Sequence, residues 1–214
     1  FAIKLLSKKT KWVVVFDNTV PFWGPGNKVV RVLAWIFFNI SLLLLRKADT
    51  IYAISPDLRS YLLGKGFSED AVIVTGNAVE SALIRRAEVD PQYNIDILFM
   101  GRLNEKKGIF DMLEVLDVVK KDYPQIQLGI LGEGDSVTVA AFKNTIKARG
   151  MDNNVQFLGY KTGLEKFSIL KSSKCFLFLS YDESFGVALL EAVCAGKFAF
   201  VYDLAPFRNI YQNE

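Results

Sequence analysis

Residues 175–195 read CFLFLSYDESFGVALLEAVCA, and this stretch decides the fold class. It opens with five apolar residues, which is the length and composition of a strand that is buried on both faces of a sheet. A short turn through Gly186 then leads into an apolar run, 187–195, that is typical of a helix. A strand that leads directly into a helix is the repeating unit of a parallel, doubly wound α/β sheet.

The same alternation of strands and helices extends over the second half of the chain. The predicted strands are 95–100, 126–131, 155–158, 175–179 and 198–202, and the predicted helices are 108–121, 136–149, 164–171 and 186–195. We therefore predict a Rossmann-like domain over residues 94–214, with its sheet incomplete in this sequence.

The first part of the chain predicts the end of another α/β domain, over residues 1–80. Its predicted strands are 12–16, 50–54 and 71–74, and Ser55 followed by Pro56 is a typical helix start. The polar segment 81–93 is predicted to be the linker between the two domains. Because the chain begins without methionine and ends soon after a strand with no covering helix, we expect it to be part of a longer protein.

One long apolar segment, residues 29–45, allows three interpretations. Arg31, Asn39 and Ser41 interrupt it, so its uninterrupted apolar length is below the roughly 20 residues that a bilayer span needs. We favour a buried or groove-lining helix, followed by a helix on a membrane surface and then by a true span.

Composition excludes several classes of function. The net charge is +3 with acidic and basic residues well mixed, which does not indicate a nucleic-acid interface. The chain contains no histidine, which excludes histidine general bases and most zinc sites, and no carboxylate cluster has the spacing of a metal-binding loop. The two cysteines lie in apolar contexts, as expected of reduced interior residues.

Two glutamates flank the predicted helix start at Gly186, and such a junction is where open α/β sheets bind ligands. The free backbone amides of Phe185, Gly186 and Val187 would suit a phosphate at the positive end of the helix dipole. Glu183 and Glu191 would repel a phosphate but could accept hydrogen bonds from neutral hydroxyls on both sides of it. This combination indicates a sugar nucleotide. In the simpler alternative, Glu183 caps the helix or compensates its dipole, and Glu191 is a solvated helix residue.

A second motif, GRLNEKKG at 101–108, directly follows the predicted strand 95–100. Arg102 offers a planar fork of donors and Lys107 a mobile charge, and together they could neutralise a diphosphate. Alone, the motif would be a solvated basic turn. Because both motifs are predicted at the same edge of the same sheet, we expect them to form one site.

Four segments, in register, resemble the donor domain of the retaining glycosyltransferases called group 1, or family 4. They are GRLNEKKG at 101–108, GEG at 132–134, FLGY at 157–160 and ESFGVALLEA at 183–192. Each is weak alone, but the four together are specific. The resemblance covers about residues 70–205. It implies a GT-B fold, in which the N-terminal Rossmann-like domain binds the acceptor and the C-terminal one holds the nucleotide-sugar.

The resemblance also implies roles for individual residues. Arg102 and Lys107 would bind the donor diphosphate and stabilise the leaving nucleotide by charge, with no metal ion and no cofactor. Glu183 would contact the transferred sugar, and Glu191 would bind the ribose hydroxyls. The remaining donor-binding residues would be Ser184, Phe185, Gly186 and Val187, together with Gly132 and Gly134, which would let the backbone approach the nucleotide.

One departure from the family pattern lies in the first domain. Many members carry His-Asp where this sequence has Phe16 and Asp17, so Asp17 is the acceptor-side candidate and the acceptor chemistry is left open.

The predicted function is transfer of a sugar from a nucleotide-sugar, with retention, to a lipid-linked or growing glycan acceptor in cell-surface polysaccharide or glycolipid synthesis. The expected partners are the donor, the acceptor and a peripheral membrane contact, without nucleic acid, and the expected location is cytoplasmic, at the inner face of the cell membrane. The 214 residues alone are expected to be inactive. The alternative is a homologue that binds nucleotide-sugar without catalysis. A nicotinamide-dependent dehydrogenase is disfavoured, because no Gly-x-Gly-x-x-Gly follows a first strand.

Overall fold

The computed structural model describes residues 11–17 and 28–211. The chain divides into two compact units, one of residues 1–77 with 205–214 and the other of residues 78–204. Each unit is built on a parallel sheet, so the predicted parallel α/β class is confirmed.

The first unit contains a three-stranded sheet in the order β1-β2-β3. Its elements are β1 (Val13–Phe16), α1 (Lys28–Leu45), β2 (Thr50–Ala53), α2 (Pro56–Gly64) and β3 (Val72–Val74). The predicted start of α2 is confirmed, because the Ser55 hydroxyl accepts a hydrogen bond from the Leu58 amide at 3.3 Å and Pro56 follows the cap.

Helix α1 is mostly exposed. Among the residues that the structure describes, its buried side chains are Leu42 and Leu45 at the C-terminal end, where the helix and β1 line a small groove of about 270 Å³. The favoured interpretation of a buried or groove-lining helix therefore holds only at this end, because the rest of α1 finds no apolar surface in the described part of its unit. By length and composition, with a mean hydropathy of 1.9, α1 could also cross a membrane.

The second unit contains a five-stranded sheet in the order β6-β5-β4-β7-β8. Its elements are α3 (Ser81–Arg86), β4 (Ile95–Met100), α4 (Ile109–Val119), β5 (Leu128–Leu131), α5 (Ser136–Ala148), β6 (Val155–Gly159), α6 (Gly163–Ser172), β7 (Ser173–Phe178), α7 (Val187–Cys194) and β8 (Phe198–Val201). The direction in which strands are added reverses between β4 and β7. The carboxyl ends of these two strands thus form the topological switch point where open α/β sheets bind ligands.

The central strands of this sheet are buried on both faces. Phe99 and Ile130 pack with Met112 of α4 and Phe142 of α5 in one core, while Phe176 is fully buried on β7. Burial on both faces is why these strands have continuous apolar runs in the sequence.

Beside β7 and β8, part of one face of the sheet is left open by the described elements of its unit. An open groove of about 960 Å³ lies between α4 and the strands β7 and β8, and its lining includes Val115, Leu177 and Phe200. Residues predicted for the functional site do not line it.

Two predicted boundaries differ from the structure. The segment 81–93, predicted to be a linker, contains α3, which belongs to the second unit and has Ile84 buried. The last strand is followed by an unpredicted helix, α8 (Ala205–Tyr211), which groups with the first unit; its Phe207 is buried and its Asn209 amide donates to Asp57 at 2.8 Å. Both helices have fewer than eight residues, which is too short to produce a recognisable helical period in the sequence.

Candidate functional site

The loops that follow β4 and β7 lie side by side at the carboxyl edge of the five-stranded sheet. The strands pair in parallel, with Leu98 opposite Phe176. Beyond the paired region, the Tyr181 amide donates a hydrogen bond to the Lys106 carbonyl at 2.9 Å. The structure therefore brings together the two sequence motifs that were expected to meet.

Gly108 allows this close approach. Its backbone has φ of 63°, and a Cβ at this position would lie 2.1 Å from the carbonyl oxygen of Leu179. Any side chain would have to push the two loops apart as well as adopt a left-handed backbone conformation.

Gly132 and Gly134, in the loop after β5, also lie directly against backbone carbonyl groups, in this case those of the loop after β4. A Cβ on Gly132 would lie 1.9 Å from the Gly101 carbonyl oxygen, and one on Gly134 would lie 2.3 Å from the Leu103 carbonyl oxygen. The Leu103 amide also donates to the Glu133 carbonyl at 2.8 Å. These glycines are therefore needed to pack 132–134 against 101–108, a reason separate from the predicted approach to a nucleotide.

The two cations of the 101–108 motif differ in their surroundings. Lys107 ends a single turn that Asn104 fixes, because the Asn104 side-chain oxygen accepts the Lys107 amide at 3.1 Å. Arg102 is exposed and makes no hydrogen bond or ion pair with the residues that the structure describes. Its guanidinium is thus available to an anionic ligand.

Lys107 and Glu183 contact each other directly. The Lys107 ammonium donates a hydrogen bond to Glu183 Oε1, and both side chains are largely shielded from solvent. The ammonium also lies 5.5 Å from the centre of the Phe178 ring. The group predicted to bind diphosphate and the group predicted to contact the sugar therefore form one ion pair, which joins the two motifs.

Glu191 pairs with a lysine that the sequence did not single out. Lys166, on α6, donates to Glu191 Oε1 at 2.7 Å, and the two side chains are only 18% and 11% exposed. The alternative of a solvated Glu191 is therefore wrong. The alternative of Glu183 as a helix cap is also wrong, because Gly186 is the N-cap of α7 and no side chain among the described residues caps this helix.

The start of α7 has the arrangement expected of an anion site. Gly186 has φ of 79°, and its carbonyl accepts the Leu190 amide as the first helical bond. The amides of Phe185, Gly186 and Val187 donate no hydrogen bond to the part of the chain that the structure describes. Phe185 is buried, whereas Val187 is exposed and Ser184 is half-buried beside the helix end.

Ser180 lies two residues after the end of β7, in the loop that leads to the site. It is fully buried, and its hydroxyl makes no hydrogen bond within residues 11–17 and 28–211. It lies in the same loop as Glu183, three residues before it.

Two stacked tyrosines hold the loops after β7 and β8 against α4. The ring centres of Tyr181 and Tyr202 are 5.8 Å apart, and both hydroxyls donate to Asp111 Oδ2, at 2.7 and 2.5 Å. The hydrogen bond to Asp111, then burial, raises the pKa of Tyr202 to about 12. The same hydrogen bond, followed by burial, raises the pKa of Tyr181.

The acceptor-side candidate Asp17 lies in the first unit. It is exposed and directly follows β1, whose last residue, Phe16, stacks on Tyr61 with ring centres 6.3 Å apart.

The sequence analysis did not identify three features of the site: Lys166, Ser180 and the cluster of Tyr181 and Tyr202 with Asp111. Tyr202 is 91 positions from Asp111, and Lys166 is 25 positions from Glu191 on another helix. No local pattern reports such pairs. The contact of Lys166 with Glu191 had one indication in the sequence: α6 and α7 come directly before and after the same strand, β7. Polar residues on these two helices were therefore candidates for contact.

The comparison with known proteins agrees with the fold and with the motifs. The family described as "Glycosyl transferases group 1" matches residues 81–214, which is more than half of the chain. The chain belongs to this family.

Two relatives have names that describe their activity. The phosphatidyl-myo-inositol mannosyltransferase of Mycobacterium tuberculosis is 28% identical over 153 residues, covering 70% of this chain and 39% of that protein. The GDP-mannose:cellobiosyl-diphosphopolyprenol alpha-mannosyltransferase of Xanthomonas campestris is 30% identical over 111 residues, covering 52% of this chain and 29% of that protein. The chain spans less than half the length of these relatives.

Solved structures show the same fold at low sequence identity. Alr3699/HepE of Anabaena, in complex with UDP-glucose, matches 96% of this chain and 57% of its own with a TM-score of 0.73 and 18% identity. TarM of S. aureus matches 92% of this chain and 37% of its own with a TM-score of 0.69 and 18% identity. The predicted α/β class of the GT-B type is thereby confirmed.

Proposed function

We propose that this protein transfers a hexose or related sugar from a nucleotide-sugar, with retention, to a lipid-linked or growing glycan. The observation that carries the proposal is the contact between Lys107 and Glu183, which joins the two motifs at the switch point of the sheet. A cation for phosphate and a carboxylate for sugar hydroxyls are adjacent there, as a nucleotide-sugar requires.

Each group has a distinct role in the proposed site. Arg102 and Lys107 neutralise the diphosphate and stabilise the charge that grows on it as the nucleotide leaves. The amides at the start of α7, at Phe185 to Val187, add a positive dipole end. Glu183 accepts hydrogen bonds from the sugar, and Glu191 accepts them from the ribose. These cations supply the charge stabilisation, so the proposal includes no metal ion or cofactor.

The proposed reaction occurs on one face of the sugar. The bond between the anomeric carbon and the diphosphate oxygen breaks, and the acceptor oxygen forms its bond to that carbon from the same side. The acceptor proton passes to the leaving phosphate oxygen, which becomes the new hydroxyl of the nucleoside diphosphate. This route needs no histidine, and the chain contains none.

The names of the relatives support a lipid-linked acceptor. The Mycobacterium tuberculosis protein is named for phosphatidyl-myo-inositol, and the Xanthomonas campestris protein for a diphosphopolyprenol and for GDP-mannose. The Anabaena structure instead contains UDP-glucose. The first test is therefore calorimetry of the full-length protein against uridine, guanosine and adenosine diphosphate sugars.

The second test is substitution of the paired residues in the full-length protein. Glu183→Gln and Lys107→Ala should each abolish transfer, and Glu191→Ala should weaken binding of the nucleoside diphosphate. Glu165→Gln, in an exposed ion pair with Lys161, is the matched control and should leave transfer unchanged. Undiminished turnover by either of the first two variants would contradict the site. A wild-type protein that binds donor but neither transfers nor hydrolyses it would support the non-catalytic alternative.

We also propose a peripheral contact with the inner face of the cell membrane through α1. The helix exposes large apolar side chains, including Trp35 and Phe37, and basic residues lie near both of its ends. Replacing Trp35 and Phe37 by serine in the full-length protein should release it from anionic liposomes in a sedimentation assay. Equal sedimentation of variant and wild type would exclude this surface.

A further inference from the structure

The ion pair between Lys166 and Glu191 differs from the other ion pair at α6. Lys161, just before the helix, and Glu165, in its first turn, are 33% and 50% exposed and lie four positions apart. Lys166 and Glu191 instead join two helices and are shielded from water. Because removing both charges from water is costly, stabilisation alone explains such a pair poorly.

We infer that Lys166 is a positioning residue of the nucleotide-sugar site, which holds the Glu191 carboxylate for the two hydroxyls of the ribose. The inference rests on the proposed function and extends it to a residue outside the recognised motifs. It assigns Lys166 to the ribose and not to the diphosphate.

The position of Glu191 supports this assignment. It lies one turn after Val187, the first residue of α7, and side chains on a helix tilt toward its N-terminus. The carboxylate therefore leans toward the end of the helix where the free amides lie. A ribose attached to a phosphate at those amides would be within its reach.

The hydrogen-bonding capacity of the pair matches a vicinal diol. Lys166 uses Glu191 Oε1, and Oε2 has no hydrogen-bond partner among the described residues. The ammonium has three donors, of which this contact uses one. A ribose hydroxyl can donate a hydrogen bond to the carboxylate and accept one from the ammonium. The pair can therefore satisfy the hydroxyls both as donors and as acceptors.

The test removes the side chain and the ribose hydroxyls separately. Calorimetry would measure the Kd of the full-length protein for the nucleoside diphosphate that it binds and for its 2′-deoxy and 3′-deoxy forms. Hydrogen bonds to charged groups are worth about 10- to 100-fold in affinity, so the wild type should lose about that factor with at least one deoxy form. In Lys166→Met the penalty should fall below about threefold, whereas Lys161→Met, the matched control, should keep it.

Three outcomes separate this inference from the proposed function. If the wild type binds no nucleoside diphosphate, the proposed function fails, and the inference fails with it. If the wild type shows a deoxy penalty that Lys166→Met retains, the inference alone is overturned. If the wild type shows no deoxy penalty, the inference fails together with the ribose role proposed for Glu191. Lys166→Arg should restore most of the penalty, and it replaces the methionine variant if the latter does not fold. A purely structural lysine would weaken binding of the ribose and deoxy forms by the same factor.

Discussion

The contact between the two motif loops can be measured with a pair of glycine substitutions. Gly108 and Gly150 have nearly the same positive φ, 63° and 60°. A Cβ on Gly108 would lie 2.1 Å from the Leu179 carbonyl oxygen, whereas nothing lies within 4 Å of a Cβ on Gly150. Alanine at Gly150 therefore reports the cost of the left-handed backbone, and alanine at Gly108 reports that cost together with the displacement of the neighbouring loop.

The expected magnitudes follow from these two terms. A left-handed conformation costs a non-glycine residue about 1–2 kcal/mol, and the loss of chain freedom in the unfolded state returns ~0.4–1 kcal/mol of it. Gly150→Ala should therefore lower the free energy of unfolding by about 1 kcal/mol. Gly108→Ala adds the cost of overpacking, about 1–3 kcal/mol, and should lower it by roughly 2–4 kcal/mol in total.

The assay is urea unfolding of the full-length protein, followed by circular dichroism. The three tryptophans of this sequence are at positions 12, 23 and 35, all in the first unit, so their fluorescence would report on the other part of the chain. Gly108→Ala should also weaken donor binding, because it moves Lys107 relative to Glu183. Equal destabilisation by the two variants would refute the close approach of the loops.

Two further predictions concern groups around the site. Tyr202 has a pKa raised to about 12 from 10.0 by its hydrogen bond to Asp111, so its stabilising effect is complete below pH 10 and is lost as the pH rises toward 12. The difference in unfolding free energy between wild type and Tyr202→Phe should therefore shrink over that interval, and a difference that stays constant would exclude the linkage. Ser180→Ala removes a buried hydroxyl that makes no hydrogen bond with any described residue, so thermal unfolding should show unchanged or greater stability, by up to about 1 kcal/mol. A clear loss of stability would contradict that environment.

The sequence predicts the architecture well where burial determines the pattern. Strand β4 was predicted at its observed bounds because a strand covered on both faces is apolar throughout. Helix α3 was missed because one buried residue, Ile84, is enough to attach six residues to the second unit. For helix α1 the favoured interpretation holds at the C-terminal end alone, because an apolar composition does not say which surface covers a helix.

The part of the site that lies in the loops directly after the strands could be predicted from the sequence. Residues at the carboxyl ends of neighbouring parallel strands must meet, which was sufficient to bring Lys107 close to Glu183. It was not sufficient for Lys166, because its contact with Glu191 depends on how α6 and α7 are rotated about their axes. The need for glycine at position 132 could likewise be recognised only in the structure, because its closest neighbour is the backbone of another loop.

The ion pair between Lys107 and Glu183 means that each group already has a partner with which a ligand must compete. In the proposed site, a nucleoside diphosphate without its sugar must draw Lys107 away from Glu183 and leave that carboxylate without a partner. An intact nucleotide-sugar takes Lys107 with its phosphates and supplies hydroxyls to Glu183 in the same event. If the proposed roles hold, the pair favours binding of the nucleotide-sugar over binding of the nucleoside diphosphate that remains after transfer.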